Sequence, residues 1–175
     1  MRLLPVKHLK LILATLAVLL SAATAKAQIG VYTGFTGAHL DSASGSSTTV
    51  YGPLVGIYLQ SGRFIAIGAD ARGAFLNGNH NQFYTGAIGP RIAIKPPVLP
   101  IKPYAEALFG VASYNGGNSS PNTTYVNYQI LGGIDATILP RIDWRVIEFD
   151  YSAVYNNPIN AKSLTTGLII RLPTF

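Results

Sequence analysis

Cysteine is absent from the 175 residues. That excludes disulfides, thiolate catalysis and cysteine-based zinc sites. Charge is scarce too. Only 11% of the residues are charged, against roughly a quarter in ordinary soluble domains. So few charges do not make a normal water-facing surface. Long apolar runs are missing after residue 27: no stretch reaches about 18 uninterrupted apolar residues, which excludes membrane-spanning helices there. A Gly-rich phosphate loop, a metal-ligand cluster and a nucleophile elbow are all lacking. No cofactor is implied.

What is present favours strands and turns. The chain is 49% hydrophobic, with 18 Gly, 11 Pro and 10 Tyr. Its formal charge of +6 arises largely at the N-terminus, where Arg2, Lys7, Lys10 and Lys26 lie. Beyond residue 27, nine basic residues face seven acidic ones, and no Lys/Arg stripe offers itself to nucleic acid. Arg2, Lys7 and Lys10 precede an apolar run from Leu11 to Leu20, and Ala25-Lys26-Ala27 closes the segment. This is the pattern of a secretory signal peptide with an A-x-A cleavage site. The expected organisation is therefore a cleaved signal over 1–27 and one domain over 28–175.

The domain divides into apolar segments at 29–40, 50–60, 63–76, 82–95, 101–115, 125–139, 144–156 and 161–172. A tilted membrane strand needs about 9 to 11 residues. Connections alternate between polar, often long ones (Asp41 to Thr49, Asn77 to Asn81, Gly116 to Thr124, Asn156 to Asn160) and tight ones (Ser61-Gly62, Pro96 to Pro100, Pro140 to Asp143). Such a rhythm fits a barrel with long outer loops and short periplasmic turns. The expectation is all-β: an eight-stranded antiparallel up-and-down transmembrane β-barrel.

Period-two alternation assigns faces. Ile65, Ile67, Ala69, Ala71 and Phe75 oppose Gly68, Asp70 and Arg72. Ile147, Phe149 and Tyr151 oppose Glu148, Asp150 and Ser152. Segment 29–40, with Gly30, Gly34 and Gly37, does not declare its faces. A polar face turned outward would carry only one or two charges per strand, a poor solvent surface. The polar face is therefore expected inside. A soluble lipocalin-like barrel would reverse this and place the apolar faces within.

The inward set is then Asp70, Arg72, Arg91, Glu106, Gln129, Asp135, Glu148, Asp150 and Arg171, with Lys95 near the periplasmic end. Isolated charges in a narrow interior are costly, whereas paired ones persist. Eight strands enclose about as much space as side chains fill. The set reads first as a structural plug, with an ion- or proton-conducting path and a catalytic carboxylate pair as rivals. Tyr51, Tyr114, Tyr125 and Tyr155 adjoin the long loops, and Tyr58, Tyr104 and Trp144 the tight turns. These aromatics are expected at the two membrane interfaces.

Four stretches carry a resemblance: Lys102-Pro-Tyr-Ala-Glu-Ala-Leu-Phe-Gly, Leu131-Gly-Gly-Ile-Asp, Arg145-Val-Ile-Glu-Phe-Asp-Tyr and Thr166-Gly-Leu-Ile-Ile-Arg-Leu. With the features above, they resemble the small outer-membrane β-barrel family of the OmpA transmembrane domain and OmpX-like proteins. The resemblance implies residence in a bacterial outer membrane, contact with its lipid and lipopolysaccharide, and insertion by the barrel-assembly machinery. That machinery reads a C-terminal strand ending in an aromatic residue. Phe175 fits by position but not by the parity of Leu168, Ile170 and Leu172.

The expected role is structural or in surface interaction, with an extracellular ligand, if any, held by loops 41–49 and 116–124. A narrow pore is the first alternative and a lipid-modifying barrel enzyme the second. Such an enzyme needs His, Ser and an acid together on the outer surface. Beyond the signal only His39 and His80 are available, and neither shows a Ser-plus-acid partner in a matching strand. The expectation is that the protein is not an enzyme.

Overall fold

Alternating outward and inward side chains suit a pleated backbone, and the chain answers with strands alone. The computed structural model describes residues 27–41, 47–78, 81–115, 123–155 and 160–173. They form β1 (Gln28–Asp41), β2 (Ser47–Ser61), β3 (Ile65–Gly78), β4 (Asn81–Ile94), β5 (Ile101–Asn115), β6 (Thr123–Leu139), β7 (Ile142–Val154) and β8 (Asn160–Leu172). Every strand pairs antiparallel with the next, and β1 pairs with β8 from Ile29↔Leu172 to Asp41↔Asn160. The sheet is a closed barrel. The segments read from the sequence match these strands to within three residues at each end. Residues 1–26, most of the long loops and Phe175 lie outside the described residues.

The short turns gather at one end of the barrel and the long loops at the other. At the turn end Gly62 takes a φ of 134°. A Cβ there would strike the Ile65 carbonyl oxygen, so the turn requires glycine. Backbone hydrogen bonds tie this end together: Lys95 N–H to Phe64 O joins two turns at 2.7 Å, and Arg171 N–H of β8 reaches Arg141 O in the β6–β7 turn at 2.8 Å.

The faces are settled by exposure. Ile130 is 68% exposed and Ile88 61%, with Phe109, Phe149, Leu168 and Ile170 beside them on the outer wall. Glu106, Asp135 and Glu148 are buried inside. The soluble, apolar-inside arrangement is thereby excluded. An outer wall of Ile, Leu, Val and Phe around a closed hydrogen-bonded cylinder is the surface that hydrocarbon accepts.

β1 declares its faces only in the structure. Gly30, Tyr32, Thr36, Ala38 and Leu40 point inward, while Val31 and Phe35 point out. Glycines on β1, β2 and β6 make room for aromatic rings. The cross-strand pairs Gly30↔Tyr58, Gly56↔Tyr32 and Gly133↔Tyr104 each set an interior tyrosine over a glycine, where a Cβ would collide with the ring or its hydroxyl.

The lumen is layered. In the loop half, Leu40, Val50, Leu54, Leu76, Phe83 and Val154 form an apolar cluster, with Tyr114 and Tyr125 packed on it. Towards the turns the filling becomes charged. The assignment of apolar side chains to the outside therefore fails for this upper layer.

Depth in the membrane makes the wall testable. Ile88 sits mid-strand and Ile94 at the turn end of β4. Replacing Ile88 by Arg is expected to cost about 2–4 kcal/mol of folding free energy, and the same change at Ile94 about 0–1 kcal/mol. Urea unfolding of the protein in lipid vesicles measures both.

Candidate functional site

The centre of the turn-side lumen is occupied by three arginines. Arg72 rises from β3, Arg91 from β4 and Arg145 from β7, and each is buried. A guanidinium carries five donors in a planar fork, so one arginine can serve several carboxylates at once. Arg72 makes four such bonds. It donates to Glu148 at 2.7 and 3.0 Å, to Glu106 at 2.8 Å and to Asp70 at 3.3 Å. Arg91 donates to Glu106 and, at 2.9 Å, to Asp135. Arg145 donates to Asp135 at 3.2 Å and to Glu148 at 2.9 Å. Glu106, Asp135 and Glu148 are thus each shared by two arginines, and the pairs form one connected ring.

Interior tyrosines complete the ring. Tyr104 donates to Glu148 at 2.5 Å and Tyr32 to Asp70 at 2.7 Å. The rings also face the cations. Arg91 lies 3.9 Å from the Tyr104 centroid and 4.5 Å from that of Tyr58, and Arg145 lies 4.2 Å from that of Tyr32. This aromatic packing surrounds Arg145, whose Nη2 has no oxygen partner among the described residues.

Tyr58 and Tyr104 are therefore not membrane-interface residues. Their positions near the turns suggested a girdle, but inward parity over Gly30 and Gly133 puts both inside. Tyr114 and Tyr125 also fall on lumen positions, against the apolar cluster. Tyr51, Tyr155 and Trp144 do face outward. Tyr51 stacks on Phe35 and Tyr155 meets Tyr128 edge-on. Trp144 donates to Thr166 at 3.1 Å.

Arg145 escaped the sequence reading because strict alternation sets it opposite Glu148. The structure inserts one extra residue at this point. Arg145 pairs with Gly167 and Glu148 with Thr165, so three steps along β7 match two along β8. This β-bulge turns both Arg145 and Glu148 inward. A signal was available: an arginine on the lipid face of a strand is costly enough to suggest a break in register.

Other members of the inward set lie around the ring. Gln129 is buried and donates to Asn127 at 3.0 Å. Asp150 is buried without an ion pair among the described contacts, and its Oδ1 has no partner. Arg171 sits at the turn-end rim, 3.2 Å from Asp143 and bonded to Pro140 O at 3.2 Å. Lys102 reaches Asp143 at 2.8 Å, and Lys95 reaches Gln28 at 3.0 Å. The sequence reading did not single out Asp143, which is buried beneath this basic rim.

On the outer rim, His39 is not isolated. Its Nδ1 is 3.4 Å from Thr49 Oγ1, its Nε2 is 3.3 Å from Asp41, and Lys162 bonds Asp41 at 3.0 Å. Direct cross-strand pairing places Thr49, His39 and Lys162 in one row. His80 lies outside the described residues. Among those residues no cluster of three or more His, Cys, Asp or Glu is arranged to hold a metal ion.

No protein-family model and no curated protein matches the sequence. Solved structures do. Neisserial surface protein A is 16% identical, with a TM-score of 0.62 over 82% of this chain and 97% of its own. The attachment invasion locus protein Ail of Yersinia pestis is 11% identical, with a TM-score of 0.61 over 84% and 99%. The N-terminal β-barrel domain of Pseudomonas aeruginosa OprF is 10% identical, with a TM-score of 0.51 over 81% and 97%. The likeness spans nearly the whole of each neighbour. The fold is that of the small outer-membrane barrels.

The ring stands or falls with its shared members. Changing Arg145 to Met leaves Asp135 and Glu148 short of a counter-charge and is expected to cost about 3–5 kcal/mol. Adding Glu148→Gln to that variant is expected to recover part of the loss. Urea titrations of both variants in detergent micelles provide the comparison.

Proposed function

We propose that the protein is a bacterial outer-membrane barrel with a structural or surface-interaction role and a lumen plugged against conduction. Residues 1–27 act as its export signal, and cleavage after Ala27 leaves a domain beginning at Gln28. The long loops then face outward, and the basic rim of Lys95, Lys102 and Arg171 faces the periplasm. Outer-membrane lipid and lipopolysaccharide surround the wall, and the barrel-assembly machinery inserts it.

One observation carries the plugged reading: two dissimilar seals lie in series along the axis. The arginine ring crosses the lumen from β3 and β4 to β5, β6 and β7. Above it sits the apolar cluster of Leu40, Val50, Leu54, Leu76 and Phe83. A hydrated ion crossing the barrel would have to separate buried ion pairs and then shed water against hydrocarbon. Loops 41–49 and 116–124 contain no Lys or Arg. Any extracellular partner would be met through hydroxyl and amide hydrogen bonds rather than by electrostatic steering.

Expression in a host with a double-membrane envelope tests this directly. The expected result is an outer-membrane band whose gel migration changes on heating, an intact mass beginning at Gln28, and no steps in planar-bilayer recordings. Stable single-channel conductance would replace the plug with a narrow pore.

A second reading, hydrolysis of lipid esters at the outer rim, is favoured by the contacts of His39 with Thr49 and Asp41. It is opposed by the exposure of His39 and Asp41 and by Lys162, which already engages the carboxylate. Folded protein incubated with lipopolysaccharide and phospholipid is expected to release no fatty acid. Release that disappears in His39→Ala would establish the enzyme instead.

A further inference from the structure

Between the arginine ring and the apolar cluster the lumen keeps a cavity of about 10 Å³. That is room for one water-sized occupant. One side of its lining is apolar, from Leu54, Leu76 and Phe83, and the other presents oxygen atoms of Gln129, Asp150, Ser152, Ser163 and Thr165. Two buried acceptors on this lining have no donor among the described residues: Asp150 Oδ1 and Gln129 Oε1. The orientation of Gln129 is fixed, because its Nε2 donates to Asn127. Arg72 also borders the cavity, but its nitrogens are engaged by Asp70, Glu106 and Glu148.

The charge count points the same way. Five carboxylates, Asp70, Glu106, Asp135, Glu148 and Asp150, share this part of the lumen with three guanidiniums, Arg72, Arg91 and Arg145. Acidic charge is in excess, and Asp150 is the member without an ion pair. An unpaired ionised carboxylate in a closed interior is very costly. A cation able to relieve it accepts oxygen ligands and is no larger than a water molecule. A single carboxylate among amide and hydroxyl oxygens, with no sulfur or imidazole, suits a hard ion of low charge rather than a transition metal.

We propose that Asp150 and Gln129, with the hydroxyls of Ser152, Ser163 and Thr165, form a buried site for a monovalent alkali cation, sodium in the first instance. The site goes beyond the plugged-barrel reading and does not depend on it, since an ion can be held in a closed or a conducting lumen.

The test compares folded, detergent-extracted protein in sodium chloride and in N-methylglucamine chloride at equal ionic strength. The wild type is expected to melt higher in sodium, because a ligand bound only by the folded state stabilises it. Asp150→Asn is expected to melt at the same temperature in both salts. Equal wild-type melting in the two salts overturns the proposal and gives the cavity to a water molecule or to a proton on Asp150. A sodium effect that survives in Asp150→Asn overturns it too. Should that variant not fold, crystals of the wild type soaked in thallous ion decide. An anomalous peak between Asp150 and Gln129 supports the site, and its absence there refutes it.

Discussion

Peptide groups in hydrocarbon find no water to bond, and this constraint governs the rest of the molecule. An open sheet of these eight strands would leave the outer edges of β1 and β8 bare. Pairing β1 with β8 along their length removes both edges at once. Closure then gives every side chain one of two destinations. Lipid accepts Ile, Leu, Val and Phe without further help. The interior is too narrow for solvent to do the same for charges, so whatever is polar there must be satisfied by other side chains.

That second requirement explains the composition of the interior. Three arginines hold the four carboxylates of the ring, Asp70, Glu106, Asp135 and Glu148, because each guanidinium bridges more than one carboxylate and Glu106, Asp135 and Glu148 each bridge two arginines, while Asp150 stays outside the ring. Tyrosine suits the remaining gaps, offering a hydroxyl to the acids and a ring face to the cations. The glycines opposite Tyr32, Tyr58 and Tyr104 let these rings lie flat along the wall. The extra residue in β7 belongs to the same arrangement. Without it Arg145 and Glu148 would point in opposite directions, and Asp135 would lose one of its two arginines.

Much of this was legible in the sequence, for physical reasons. Strand number and limits follow from alternation between turn residues, which needs no knowledge of partners. The burial of Asp70, Arg72, Arg91, Glu106 and Glu148 follows from the cost of placing them against lipid. Three features were hidden. A bulge changes parity, and its one trace in the sequence was an arginine falling on the lipid-facing parity, so Arg145 was missed. Aromatic side chains suit both an interface and a packed interior, so nearness to a turn did not tell Tyr58 or Tyr104 from Trp144. Leu40, Val50 and Leu76 look like lipid-facing residues by type, and only register shows them inside. The contacts of His39 with Thr49 and Asp41 bring together residues from two strands, and local spacing could not reveal the one to Thr49.

The layering of the lumen has one more consequence. The apolar half lies under the long loops, while the half lined by Lys95, Lys102, Asp143 and Arg171 lies beside the short turns. The cylinder is therefore polarised along its axis, with hydrocarbon side chains in one half of its lumen and ionised ones in the other.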